Sequence, residues 1–350
     1  MLVRKRFEKL YILFEGYLST VILTGILIIL PFTLPYTALA NEVLIFSLVA
    51  VSFDLCLGYT GIMMFCQAAI WGTGLYATAL TLLHFTQNIF AAIFFGVLSA
   101  TILAVIVGAI ATKRAHTYMV LITMAFSELI YFIAYQWDDV TGGSDGLTGI
   151  PRPNLEIPGI ISIDLQAQLN YYFFILFFFL LSFIIIKRIT ISPFGRILQG
   201  IRENEARAQS IGYNTRIYKI VVFGIAGMFM GLSGSLYVML VRYAHISNVG
   251  IDISGNIIMM ELIGGMGTLF GPILGAFLFT ITADIASAYW DRWLIILGVI
   301  CIVFVLFARG GIWVLMRDLG KRFFNVHPPQ RKTTATFYGD KLEKSTGGQI

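Results

Sequence analysis

Ten times along this chain a run of roughly 15 to 23 mostly apolar residues ends in a short polar or glycine-containing break. A helix needs about 20 such residues to cross a hydrocarbon layer about 30 Å thick. The runs fall at about 17–34, 42–59, 62–84, 89–111, 118–137, 169–186, 218–240, 256–270, 272–288 and 293–308. Only 12% of the 350 residues are charged, about half the usual share of a soluble domain. A surface so short of charge cannot be clothed in water, so lipid is the expected outer solvent. The expected fold is all-α, a polytopic transmembrane helix bundle of about ten membrane segments. Segments eight and nine are separated only by the turn at Gly271-Pro272, which leaves full spans and broken half-helices both open.

The basic residues orient the bundle. With the N-terminus inside, 21 of the 24 Lys and Arg fall on inner segments, and only Arg152, Arg242 and Arg292 lie outside. Lys and Arg concentrate in cytoplasmic loops, so both termini are expected in the cytoplasm of a bacterial inner-membrane protein. The net charge of +5 then reads as orientation and attraction to anionic lipid, not nucleic-acid binding. The layout is a cytoplasmic segment 1–16, a membrane domain 17–316 and a disordered cytoplasmic tail 317–350. The membrane domain carries an outer loop 138–168 and an inner loop 187–217. Arg4–Lys9 followed by an apolar run and Ala38-Leu39-Ala40 imitates a signal peptide. The run is long for one and contains Pro31 and Pro35, so the first span is expected to stay.

The inner loop holds a helix-forming stretch from Ser192-Pro193-Phe194-Gly195 to Gly212. Ile197, Ile201, Ala208 and Ile211 fall near one helical face, with Arg202, Glu203, Glu205 and Arg207 on the others. Such a helix either lies along the inner leaflet or docks into a cytoplasmic protein. Gly227 and Gly231, and Gly267, Gly271 and Gly275, repeat every four residues, a spacing that lets helix backbones approach closely in lipid. Packing within the chain and a dimer face are both open.

Ionisable groups at mid-membrane cost roughly 2.5–3.5 kcal/mol on insertion scales. Asp54, Glu128 and Glu261 lie deep in the apolar runs and need a buried partner, a proton or a wet cavity, so they are candidates for a solute path. His84 and Asp284 fall near span ends and are set aside. The acidic, glycine-rich outer loop 138–151 lacks the spacing of a calcium loop and reads as a turned segment that meets an outside partner. Cys56, Cys66 and Cys301 all sit in apolar runs and suggest neither disulfide nor metal. No phosphate-binding GxxxxGK[ST] motif occurs, nor any HExxH or GxSxG, so ATP hydrolysis by this chain in that manner is not expected.

Six stretches follow one another along the chain: Gly58-Tyr59-Thr60-Gly61, Gln67-Ala68-Ala69, Gly72-Thr73-Gly74-Leu75-Tyr76, the outer stretch Thr141–Pro153, the inner stretch Ser192–Gly212 and the late turn Gly264–Gly275. Their sequence and order resemble the LivM-type permease subunit of branched-chain amino-acid ABC importers. The resemblance covers about 40–315. It implies a sister permease of LivH type, two cytoplasmic ATPases of LivG and LivF type, and a periplasmic substrate-binding protein. The chain itself would bind no cofactor, and ATP would be hydrolysed by its partners. The helix around Arg202, Glu203, Glu205 and Ala206, with Gly212, would seat on an ATPase. Glu205-Ala206 and Gly212 match the wider E-A-A-x-x-x-G pattern loosely. Cys66 and Gln67 depart from the family, which adds Gln67 to the solute-path candidates. Related permeases carry urea or short amides, and an ion-gradient-driven transporter using Asp54, Glu128 or Glu261 is the rival reading.

Overall fold

The computed structural model describes residues 20–113, 116–157, 161–290, 292–307 and 310–316. The N-terminal segment 1–16 and the whole tail 317–350 lie outside these. Residues up to Val314 form one compact unit; the second, Leu315–Ile350, contributes only Leu315 and Met316 to the described residues.

The first unit is helical apart from a small hairpin. Its helices are α1 (Thr20–Thr33), α2 (Thr37–Asp54), α3 (Gln67–Leu80), α4 (Ile89–Ala111), α5 (His116–Gln136), α6 (Asp138–Thr141), α7 (Gln168–Ile191), α8 (Pro193–Glu203), α9 (Glu205–Ser210), α10 (Thr215–Val241), α11 (Ile251–Gly264), α12 (Phe270–Tyr289) and α13 (Trp293–Phe307). α2 and α3 each end in one π-helical turn, Leu55–Tyr59 and Thr81–Phe85. Side-chain caps at Asn88, Ser192, Asn204 and Asn214 start α4, α8, α9 and α10, each satisfying backbone N–H groups that have no partner inside the helix.

Among the described residues, six helices are long and apolar enough to cross a membrane: α2 with its π turn, α4, α5, α7, α10 and α12; α1 and α13 are shorter apolar helices. The protein is a multi-pass membrane protein. The runs at 62–84 and 256–270 do not become single long α-helices. They yield α3 and α11, of 14 residues each, about 21 Å at 1.5 Å per residue; the π turn Thr81–Phe85 carries α3 on to the end of its run. The remainder is irregular backbone, at 60–66 and 265–269. Apolar composition fixes where a segment resides, not how much of it is helical.

Of the six long helices, α2 and α10 are the most enclosed. α10 packs on α4, α3 and α2, and α2 in turn on α12 and α7. The seam depends on glycine. A Cβ on Gly227 or Gly231 would collide with Ala104 or Ala100 of α4, and one on Gly74 would lie 2.7 Å from Gly231 Cα. Gly227 and Gly231 therefore pack helices within the chain. The expectation for Gly267, Gly271 and Gly275 needs correction, because they do not share one helical face. Gly267 lies in a turn at φ +75°, and only Gly271 and Gly275 belong to α12. Gly275 lets α12 press on the Met260 carbonyl of α11.

The loop between α5 and α7 holds α6 and an antiparallel hairpin, Leu155–Ile157 with Ile161–Ile163. Arg152 fixes it to the bundle. Its guanidinium donates to the carbonyls of Met239 (2.7 Å), Leu240 (2.8 Å) and Leu165 (3.3 Å) and lies over the Tyr171 ring. A cation thus satisfies the last carbonyls of α10, where the helix dipole favours positive charge. Burial pulls the Arg152 pKa below the ordinary arginine value, yet arginine stays charged in proteins.

Candidate functional site

The inner loop folds as two helices instead of one. Asn204 leaves helical backbone and caps α9, its Oδ1 accepting from the Arg207 N–H at 2.9 Å. The break rotates the second half, so the expected apolar face is only partly correct. Ile201 and Ala208 are buried together with Gly195 and Leu198, Ile197 is intermediate, and Ile211 is 70% exposed. Between α8 and α9 an open groove of about 420 Å³ is walled by Arg196, Glu203, Arg207 and Ile211, among others. Glu203, Ala206 and Gly212 lie on the exposed side, and Gly212 takes φ +101° just after α9. The groove carries both signs of charge and apolar wall, which suits a protein partner.

Glu205 faces the opposite way. Its Oε1 is 2.6 Å from Lys219 Nζ and accepts from Thr215 Oγ1 at 2.9 Å. Lys219 is only 5% exposed and Glu205 29%. This pair ties α9 to the first turn of α10.

Arg202 turns inward from α8. Its Nη1 donates to the Gly58 carbonyl in the π turn that ends α2. One turn earlier stands Asp54, fully buried. Its Oδ1 accepts from the Gly267 N–H at 2.6 Å and its Oδ2 from the Leu269 N–H at 3.1 Å. Gly58 makes this reach feasible: a Cβ there would collide with both Asp54 Oδ1 and the Gly267 nitrogen. The clasped turn 265–269 is unusual backbone, with Gly265 at φ +112°, Gly267 at φ +75° and Leu269 at φ +58°. A leucine at φ +58° and ψ −39°, outside even the left-handed helical well, costs roughly 1–3 kcal/mol, so the Asp54 contacts help to hold a conformation that the chain alone disfavours. The Glu261 carboxyl lies beside that of Asp54, and neither of its oxygens makes a hydrogen bond of ordinary geometry among the described residues.

Of the four solute-path candidates, the fold therefore joins Asp54 and Glu261. Gln67 is buried at the start of α3 with both amide atoms unpartnered among the described residues, next to Ala68, whose N–H donates to Ser254 at 3.0 Å. Glu128 lies apart from the other three, on the exposed face of α5, a helix with few neighbours. Gly58, Lys219 and Arg152 escaped sequence reasoning. The Gly58-Tyr59-Thr60-Gly61 motif marked the first as special without saying why. Nothing in the sequence linked Lys219 to Glu205.

Three relatives support the same assignment. The high-affinity branched-chain amino acid transport system permease protein LivM of Escherichia coli (strain K12) is 20% identical over 297 residues, covering 80% of this chain and 70% of that protein. The protein of the same name from Salmonella typhimurium (strain LT2) matches to the same extent. A probable branched-chain amino acid transport permease protein LivM of Methanocaldococcus jannaschii is 26% identical over 199 residues, 55% of this chain and 56% of its own length. No solved structure matches the chain. The family model described as branched-chain amino acid transport system / permease component matches residues 36–306, from the cap of α2 into α13 and so across the whole Asp54 clasp. The chain belongs to that family.

Proposed function

We propose that this chain is a transmembrane permease subunit of an ATP-driven importer for branched-chain amino acids or similar small polar solutes. Its partners are a sister permease, two cytoplasmic ATPases and a periplasmic binding protein. The six long helices together with α1, α3, α11 and α13 make ten membrane segments. The end that bears α8 and α9 faces the cytoplasm, as the distribution of Lys and Arg requires, and both termini lie there in the plasma membrane. The chain binds no cofactor, and its partners hydrolyse the ATP.

The observation that carries this reading is the contact of Arg202 with Gly58. An ATPase seated in the groove between α8 and α9 would displace α8 as it closes. Arg202 passes that displacement to the end of α2, and Asp54 passes it on to the turn between α11 and α12. α3 and α11, both short and flanked by irregular backbone, are the elements that such a movement can shift; broken helices of this kind line solute paths in other transporters. A state preference of about 1.4 kcal/mol changes populations tenfold, so one charged hydrogen bond in this chain of contacts is enough to matter.

Reconstitution in proteoliposomes tests the reading. Leucine uptake should require the ATPases, ATP and the binding protein together. Uptake by this chain on an ion gradient alone, with no ATPase present, would overturn it.

A further inference from the structure

At the end of the bundle opposite α8, a cavity of about 290 Å³ opens between α2, α11, α12 and α13. Its wall holds two carboxylic acids, Glu42 and Asp284, and no Lys, Arg or His. The two acids are close enough to act on each other electrostatically. Tyr36 donates a hydrogen bond to Asp284 Oδ1. Asp284 Oδ2 and both Glu42 oxygens have no hydrogen-bond donor among the described residues. Two acids left facing each other across a cavity repel, and the arrangement becomes favourable when a cation stands between them.

Thr280 points to the same conclusion independently. It is 6% exposed and lines the cavity, and its hydroxyl has no partner among the described residues. Buried helical threonines elsewhere in the chain, Thr78, Thr81 and Thr112, each bond the carbonyl four residues back. Thr280 forgoes that bond, which leaves an unsatisfied hydroxyl closed off in the cavity wall, where a small shift of the lining would open it to a ligand. The remaining wall is apolar. Phe46, Met260, Phe279 and Trp293 line it, and Phe46 continues into an aromatic cluster with Trp71 and Tyr237. A few polar groups in an apolar, aromatic surround are the usual make-up of a small-ligand site.

From this geometry we infer that the cavity is a binding site for a primary ammonium attached to a small branched apolar group, with the ammonium between Glu42 and Asp284 and the apolar group against Phe46 and Met260. The inference rests on the proposed orientation, which makes this the outer mouth of the permease and the site where an arriving amino acid is first held. A ligand's carboxylate then stays at the open side, away from the two acids.

Thiol labelling in the assembled transporter tests the site without depending on transport. With Cys301 replaced by serine, a cysteine is introduced by Ser287→Cys, or by Asn256→Cys should the first disturb assembly. Its modification rate by a membrane-impermeant thiol reagent is then followed. 3-Methylbutylamine at about nine times its half-protecting concentration should slow labelling about tenfold, the factor 1 + [L]/Kd, and leucine should slow it as well. 4-Methylpentanoate, which lacks the ammonium, should not. The protection should vanish in Glu42→Gln/Asp284→Asn. Equal protection by 4-methylpentanoate, protection by potassium chloride alone, or protection that survives the double substitution would each overturn the inference. An absence of ATP-driven uptake alongside intact amine protection would count against the importer reading alone.

Discussion

Arg202 and Gly58 lie 144 residues apart in sequence, yet the guanidinium of one donates to the carbonyl of the other. The contact joins a helix outside the apolar bundle to the end of the most enclosed of its long helices, α2. Arg202→Ala removes this donor from an exposed side chain and should cost little stability. Uptake should fall at least about tenfold, the effect of some 1.4 kcal/mol, while ATPase activity continues. Simultaneous measurement of ATP turnover and leucine uptake checks this, and an unchanged ratio of the two would exclude the link.

Asp54→Ala strips the acceptors from two backbone N–H groups, that of Leu269 buried and that of Gly267 half-buried. Each buried donor left unmade costs about 1–3 kcal/mol, so the detergent-solubilised protein should unfold at a markedly lower temperature. Asp54→Asn keeps one acceptor oxygen and should fall between. Equal melting temperatures for all three proteins would show that the turn 265–269 holds itself.

Glu205→Lys places a second ammonium against Lys219, which is almost buried. Removing one partner of a buried pair costs about 3–5 kcal/mol when both charges are enclosed; the partial exposure of Glu205 reduces this. The variant should insert in the membrane and lose ATP-driven uptake, whereas Glu205→Gln should retain part of it. Membrane-fraction blots and vesicle uptake distinguish the two effects, and wild-type uptake by Glu205→Lys would refute the role of α9.

Gly275→Ala and Gly298→Ala form a matched pair. A Cβ at Gly275 would drive into the Met260 carbonyl, while one at Gly298 meets nothing within 4 Å. The first should destabilise by more than about 1 kcal/mol, as overpacking does. The second should be neutral or slightly stabilising, by about 0.5–1 kcal/mol, through helix propensity. Thermal unfolding of the two variants side by side decides it.

Arg152→Ala leaves the Met239 and Leu240 carbonyls without their cation and frees the loop around the hairpin. A loss of about 1–3 kcal/mol is expected for buried acceptors stranded in this way. Arg152→Lys should recover only part of it, since an ammonium cannot reproduce the forked geometry. Protease sensitivity between residues 142 and 157 reads this out, with cleavage faster in the alanine variant.

The long helices were legible because an apolar run of the right length has few other fates in lipid. The expected span 89–111 coincides with α4, and 118–137, 218–240 and 272–288 each differ by no more than three residues at an end from α5, α10 and α12. The runs at 62–84 and 256–270 misled for a definite reason. Buried irregular backbone beside other helices needs the same apolar side chains as a span does, so hydropathy cannot distinguish them. Asp54 and Glu261 were identifiable as carboxyls with no water nearby. That they face each other depends on a turn 213 residues beyond Asp54, and no local pattern encodes that. Glu42 went unnoticed because an acid at the start of an apolar run reads as an interfacial residue, the same reasoning that set Asp284 aside. Glu128 stands apart from that pair, because depth along a helix says nothing about which way its side chain faces.

The distance between Asp54 and its ligands also bears on biogenesis. Ribosomal synthesis delivers α2 early, and the N–H groups of Gly267 and Leu269 come only after most of the membrane domain has been made. Throughout that interval the nascent protein carries a carboxyl that lacks these donors, at a cost of roughly 2.5–3.5 kcal/mol at mid-membrane that a proton, water or the insertion machinery has to offset. Any polypeptide ending before Gly267 leaves that acid without its backbone partners.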